Sequence, residues 1–203
     1  MRYVSTRGAA PVLDFGDTLL AGLADDGGLY VPESWPTLAA GGRGDYVETA
    51  VEVMVPFVAG SITEDDFAAM VADAYTAFDA PDVTPLVELS DGVHLLELFH
   101  GPTLAFKDFA LQLLGNLYEE QIRRTGKPIT VLGATSGDTG AAAIHGLLGK
   151  EGVNIFILYP EGRVSFLQER QMTCSGADNV FPLSVSGTFD DAQLALKQTF
   201  ANQ

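Results

Sequence analysis

From Thr63 onward, apolar residues fall at Phe67, Met70, Val71, Ala74, Tyr75 and Phe78, one stripe of a helix with a period near 3.6. Thr63 with Asp66 three residues later marks its start as a capping box. Tyr46 to Val58 is apolar nearly all round and predicts a second, more buried helix. Between Asp14 and Pro36, DFGDTLLAGLADDGGLYVPESWP predicts a short helix, an Asp-Gly-Gly turn and a brief extended piece. The prolines of APDVTP, Ala80 to Pro85, read as a linker. Residues 1–90 are thus expected to form a mainly helical amino-terminal segment.

Residues 91–203 change rhythm. Val93 to Phe99 is a short apolar run with little alternation, as expected for a strand covered on both faces. A helical pattern follows from Ala105 to Tyr118, then a strand at Ile129–Gly133 and a helix at Thr139–Leu148. Val153–Tyr159 and Asn179–Val185 predict further strands, with a helix at Val164–Cys174 between them. Thr188 with Asp191 starts a last helix, still running at Gln203. Strands alternating with helices predict an α/β fold with a mostly parallel sheet and flanking helices. Residues 91–203 would be part of such a domain.

Composition narrows the chemistry. Acidic residues outnumber basic ones 27 to 11, for a formal charge of −16. That balance argues against nucleic-acid partners and anionic membranes, which need Lys/Arg patches. The single cysteine, Cys174, makes an intramolecular disulfide impossible and excludes a Cys-based zinc site, and His94, His100 and His145 lack metal spacing. No stretch has signal-peptide or membrane-span character. A soluble, cytoplasmic protein with no metal is expected.

In parallel sheets, ligands bind where strands give way to helices. Two such junctions stand out. In FHGPTLAFKDFALQLLG, Phe99 to Gly115, a helical wheel puts Asp108, Gln112, Asn116 and Glu119 on a polar stripe and leaves Lys107 beside Leu111, Leu114 and Tyr118. A desolvated lysine loses part of its preference for the charged form, and a neutral amine attacks carbonyls to form a Schiff base. The other reading is a lysine that snorkels past apolar neighbours to water. In VLGATSGDTGAAAIHG, Val131 to Gly146, small residues lead into a helix whose first N–H groups offer an anion site, with Thr135, Ser136 and Thr139 as hydroxyl donors. Alternatively, Asp138 or Thr139 only caps that helix. The loop fits neither a P-loop nor G-x-G-x-x-G. An amine and an anion-binding loop on adjacent units suit a carbonyl cofactor with a substrate carboxylate.

These residues resemble the threonine synthase family, pyridoxal-phosphate enzymes of the tryptophan-synthase-β type. The resemblance is carried by YVSTRG at Tyr3–Gly8, DGGLYVP at Asp26–Pro32, FHGPTLAFKDFALQ at Phe99–Gln112, GATSGDTGAAA at Gly133–Ala143 and GRVSFLQERQMT at Gly162–Thr173. It implies a PLP fold type II-like sheet and conversion of O-phosphohomoserine and water to threonine and phosphate. Lys107 would be the Schiff-base lysine and the base that moves protons at the α and β carbons. Phe106 would line the pocket of the pyridoxal 5'-phosphate, with Asp138 near its ring. Thr135, Ser136, Gly137 and Thr139 would serve the substrate carboxylate. Arg163 and Arg170 are the basic candidates for the substrate phosphate, while Lys127 and Lys150 read as solvated loop charges.

Family members are about twice as long, and their cofactor-phosphate loop and pyridine-nitrogen partner are expected beyond Gln203. The chain is therefore expected to be an amino-terminal portion that lacks the carboxy-terminal half. Another elimination enzyme of the same fold, such as threonine dehydratase, and a non-catalytic fragment acting as a binding module are the alternatives.

Overall fold

The computed structural model describes residues 1–38 and 44–201. The chain groups into two units, residues 1–73 and 74–203.

In the first unit, β1 (Tyr3–Ser5) pairs antiparallel with β2 (Tyr30–Pro32). The turn before β2 is tied by one carboxylate. Asp26 accepts from Ser5 Oγ at 2.7 Å and from the N–H groups of Gly28, Ala9 and Ala10 at 2.9, 2.9 and 3.0 Å. Helix α1 (Phe15–Ala21) starts at Asp14, whose side chain accepts from Asp17 N. Helix α2 (Tyr46–Val58) carries a capping box formed by Asp45 and Glu48. It is less buried than its composition suggests: Val58 is buried but Val53 is 38% exposed. An all-round apolar pattern says that a helix has surface to cover, not how many neighbours cover it. In α3 (Glu64–Tyr75), the Thr63 hydroxyl accepts from Asp66 N at 3.2 Å, and Phe67 and Val71 are buried on the predicted stripe.

The second unit opens with a hairpin of β3 (Leu86–Ser90) and β4 (Val93–Leu96), paired antiparallel with a bulge between Glu88 and Ser90. This corrects the expectation of a doubly covered strand at Val93–Phe99. The Asp91-Gly92 turn, with Gly92 at φ 73°, folds the run back on its predecessor, and both strands stay exposed along their length.

Then α4 (Asp108–Thr125), β5 (Ile129–Ala134), α5 (Asp138–Leu147), β6 (Val153–Pro160), α6 (Phe166–Thr173), β7 (Val180–Val185) and α7 (Phe189–Ala201) alternate as the pattern predicts. The strands form a parallel sheet in the order β5-β6-β7. Among the described residues Pro182 of β7 has one neighbouring strand, β6, where its missing N–H is tolerated. Alternate β6 residues, Val153, Ile155, Ile157 and Tyr159, pack with Ala141, Ile144 and Leu147 of α5 and Met172 of α6. Helix α7 lies against β5 and β6.

Helices α4 and α5 cross through glycines. A Cβ on Gly146 would stand 2.2 Å from Leu111 O, and one on Gly115 would stand 2.1 Å from Gly146 O. On the polar stripe of α4, Asp108 and Asn116 are buried, and Gln112 meets His145 of α5 at 3.2 Å. The expectation of a solvated loop charge at Lys150 is corrected, since its ammonium donates to Asn116 Oδ1 at 2.6 Å and Glu119 Oε2 at 2.8 Å. Among the described residues no helix is long and apolar enough to cross a membrane.

Candidate active site

Two loops, before α4 and before α5, meet at one ion pair. Lys107 stands at the N-cap of α4. Its Nζ donates to Asp138 Oδ2 at 2.6 Å, with the two side chains 27% and 42% exposed. The ammonium also lies 4.7 Å from the centroid of the Phe106 ring, a cation–π contact. That ring is 60% exposed. The helix begins at Asp108, so Lys107 extends from the turn ahead of it. The amine therefore finds a carboxylate partner and an aromatic face.

The second loop is organised from inside. Thr135 is 2% exposed, and its hydroxyl oxygen accepts from Gly137 N at 3.0 Å and Gly140 N at 2.8 Å. Those are N–H groups that the first turn of a helix leaves unpaired. Gly137 takes φ 145°, which favours glycine, and a Cβ there would stand 2.4 Å from Gln168 Oε1. Asp138 divides its carboxylate: Oδ1 accepts from Thr139 N at 2.8 Å while Oδ2 takes the lysine. The hydrogen bond from Lys107 is the main cause that holds the Asp138 carboxyl below its ordinary range, with the Thr139 N–H assisting. Asp138 is thus a carboxylate at neutral pH.

The fold brings Lys107, Phe106 and Asp138 together. Thr135 and Gly137 are buried in the loop that carries Asp138, and Ser136 and Thr139 are exposed on it. The N–H groups expected to face an anion are partly used within the loop, by Thr135 and Asp138. Arg170 lies over the Phe166 ring at 4.7 Å, and Arg163 is near enough to Asp191 to help lower its carboxyl. Among the described residues no cluster of three or more His, Cys, Asp or Glu is placed to hold a metal.

Sequence reasoning missed the supports of the site. Asp108 is wholly buried and accepts from Thr103 N at 2.9 Å and Thr103 Oγ1 at 2.6 Å. From α6, Gln171 Nε2 donates to Thr103 O at 3.3 Å, while Gln168 packs on Gly137. One short helix therefore touches both loops. The block Gly162–Thr173 was the available signal, but nothing in it named a role for either glutamine.

The family profile described as "Threonine synthase N terminus" matches residues 2–75. The chain is 51% identical over 208 residues to threonine synthase of Pseudomonas aeruginosa, covering 100% of this chain and 44% of that protein. Among solved structures, PLP-bound threonine synthase from Brucella melitensis superposes with a TM-score of 0.92 at 51% identity, over 99% of this chain and 44% of that one. The yeast threonine synthase structure gives a TM-score of 0.92 at 43% identity, over 100% and 44% of the two chains. The chain thus spans about 44% of the length of these relatives.

Proposed function

The chain belongs to the threonine synthase family, and from that premise we propose that its Lys107–Asp138 site is the lysine-bearing part of a threonine synthase. The whole protein would convert O-phosphohomoserine and water to threonine and phosphate, in the cytoplasm. The observation that carries this reading is the part-exposed side chain of Lys107, held in the turn before α4 by a carboxylate from the first turn of α5.

The residues present fit pyridoxal phosphate. The Lys107 amine is reachable, an exposed aromatic face lies beside it, and the opposing loop is built of small residues. Lys107 Nζ would hold the aldehyde carbon, Phe106 would line the ring, and Asp138 would lie near it. Bound there, the cofactor supplies an electron sink that acidifies substrate C–H bonds. Asp138 beside an anionic ring oxygen would need to share a proton with it, since two like charges in contact repel. Ser136 and Thr139, both exposed, would offer their hydroxyls to a substrate carboxylate, and Thr135 and Gly137 shape the loop that carries them. Lys107 Nζ would also be the base that moves protons at the substrate α and β carbons. Aiming one base at both carbons is a positioning task, a kind of effect worth about 7–11 kcal/mol in favourable systems.

Borohydride reduction in the presence of pyridoxal phosphate, followed by peptide mapping of the full-length protein, tests the assignment. The expected label is on Lys107; a label on another lysine ends it. Phosphate release from O-phosphohomoserine, set against ammonia release from threonine, separates a synthase from a dehydratase.

A further inference from the structure

Asp108, the residue that follows Lys107, carries a carboxyl group with no exposure to water. A buried polar group is costly unless its hydrogen bonds are met. Both of its oxygens turn to the same residue, five positions back: Oδ2 accepts from Thr103 N at 2.9 Å and Oδ1 from Thr103 Oγ1 at 2.6 Å. Gly101 closes over it so tightly that a Cβ there would lie 2.5 Å from Oδ2. Thr103 is tied from its third side as well, its carbonyl accepting from Gln171 Nε2 at 3.3 Å.

What this buried knot holds is exposed and strained. Leu104 takes φ +64°, a region that side-chain-bearing residues avoid, and is 62% exposed. Phe106 is 60% exposed, so neither residue has packing of its own sufficient to fix the turn. The enclosed Thr103–Asp108 contact, the Leu104 N–H bond to Gly101 O at 3.0 Å, the Asp108 N–H bond to Ala105 O at 3.0 Å and the start of α4 bracket the segment that ends in Lys107.

We propose that Asp108 and Thr103 are positioning residues: their buried contact closes residues 103–108 into a rigid loop that keeps the Lys107 amine at the Asp138 carboxylate, and so sets how fast that amine captures an aldehyde. The proposal rests on the reading of Lys107 as the cofactor-binding amine.

The test uses the full-length protein with Thr103→Val, Thr103→Ser and Asp108→Asn. Two readouts are followed: the rate of covalent capture of pyridoxal phosphate by borohydride trapping across pH, and competitive acetylation of Lys107 in the cofactor-free protein. Thr103→Val and Asp108→Asn are expected to slow capture by about tenfold or more, since small misplacements carry costs of that order. Both are also expected to alter the pH dependence of Lys107 acetylation. Thr103→Ser, which keeps the hydroxyl, is expected within about twofold of the parent, as a restored hydrogen bond requires. Cooperatively folded Thr103→Val with parental capture and acetylation overturns the proposal, and so does Thr103→Ser as slow as Thr103→Val. If Asp108→Asn fails to fold, the Thr103 pair decides alone. A parent protein labelled at a residue other than Lys107 removes the premise instead, which keeps the two failures distinct.

Discussion

Lys107 Nζ and Asp138 Oδ2 lie 2.6 Å apart although 31 residues separate them in the chain. One belongs to the turn before α4 and the other to the first turn of α5, and the glycine crossing of those helices sets their separation. The pair gives each partner a function in the other's chemistry. The ammonium keeps the carboxylate ionised, and the carboxylate holds the amine over the loop where a substrate would sit.

Replacing Lys107 should be read at Asp138 as well as at the lysine. In Lys107→Ala the leading cause of the lowered carboxyl is gone, so the Asp138 pKa should rise toward the usual value of about 3.9. Carbon NMR of the carboxyl across an acid titration measures it, and an unmoved titration would show that the ion pair does not control Asp138. Covalent capture of pyridoxal phosphate should be lost in the same variant.

The glycines at the α4–α5 crossing should resist substitution. Gly146→Ala would press a Cβ to 2.2 Å from Leu111 O, which is backbone and cannot swing aside. A loss of about 1–3 kcal/mol is expected, as for other overpacked cores. Urea unfolding measures it. Gly149→Ala is a control of a different kind: nothing lies near its Cβ, and its φ of +72° alone should cost about 1 kcal/mol.

Acid should loosen the first unit through Asp26. Hydrogen bonds, that from Ser5 foremost, bring its carboxyl down to about 2. The unfolded value is about 3.9, so the unfolded chain binds more protons as pH falls. The stabilisation from Asp26 is complete above the unfolded value and is lost as pH drops through it toward about 2. Asp26→Asn should flatten that acid limb in a circular-dichroism titration, whereas a parental limb in the variant would place the acid sensitivity elsewhere.

Leu104 separates conformational strain from packing. At φ +64° and 62% exposed, it has little packing to lose. Leu104→Gly should relieve strain yet raise unfolded-chain entropy by a similar amount, leaving stability within about 0.5–1 kcal/mol of the parent. Leu104→Val, β-branched at a positive φ, should destabilise by about 1–2 kcal/mol. Thermal unfolding of both variants provides the comparison.

Helix α3 and the elements from α4 to α7 were readable because their information is local. The period of 3.6 and the Thr63–Asp66 and Thr188–Asp191 starts lie within a few residues of what they control. The blocks around Lys107 and Asp138 likewise located both halves of the site. Misreadings arose where a residue's partner lay far along the chain. Val93–Leu96 carries no mark of whether it pairs with β3 or enters the parallel sheet, and its side chains proved exposed. Lys150 reads as a solvated loop charge, yet it pairs with Asn116 and Glu119 of α4.

The amino-acid order by itself therefore determined which segments become helices and strands, and which residues carry reactive groups, because both depend on short-range geometry and chemical identity. Tertiary structure alone decided that the lysine pairs with a carboxylate 31 positions away, that Lys150 is paired, and that Asp108 is enclosed with Thr103. Each of the first two outcomes depends on α4 and α5 touching backbone to backbone at Gly115 and Gly146, and the third on a loop folding back over its own helix start. Contacts of that kind become visible only once the chain has closed on itself.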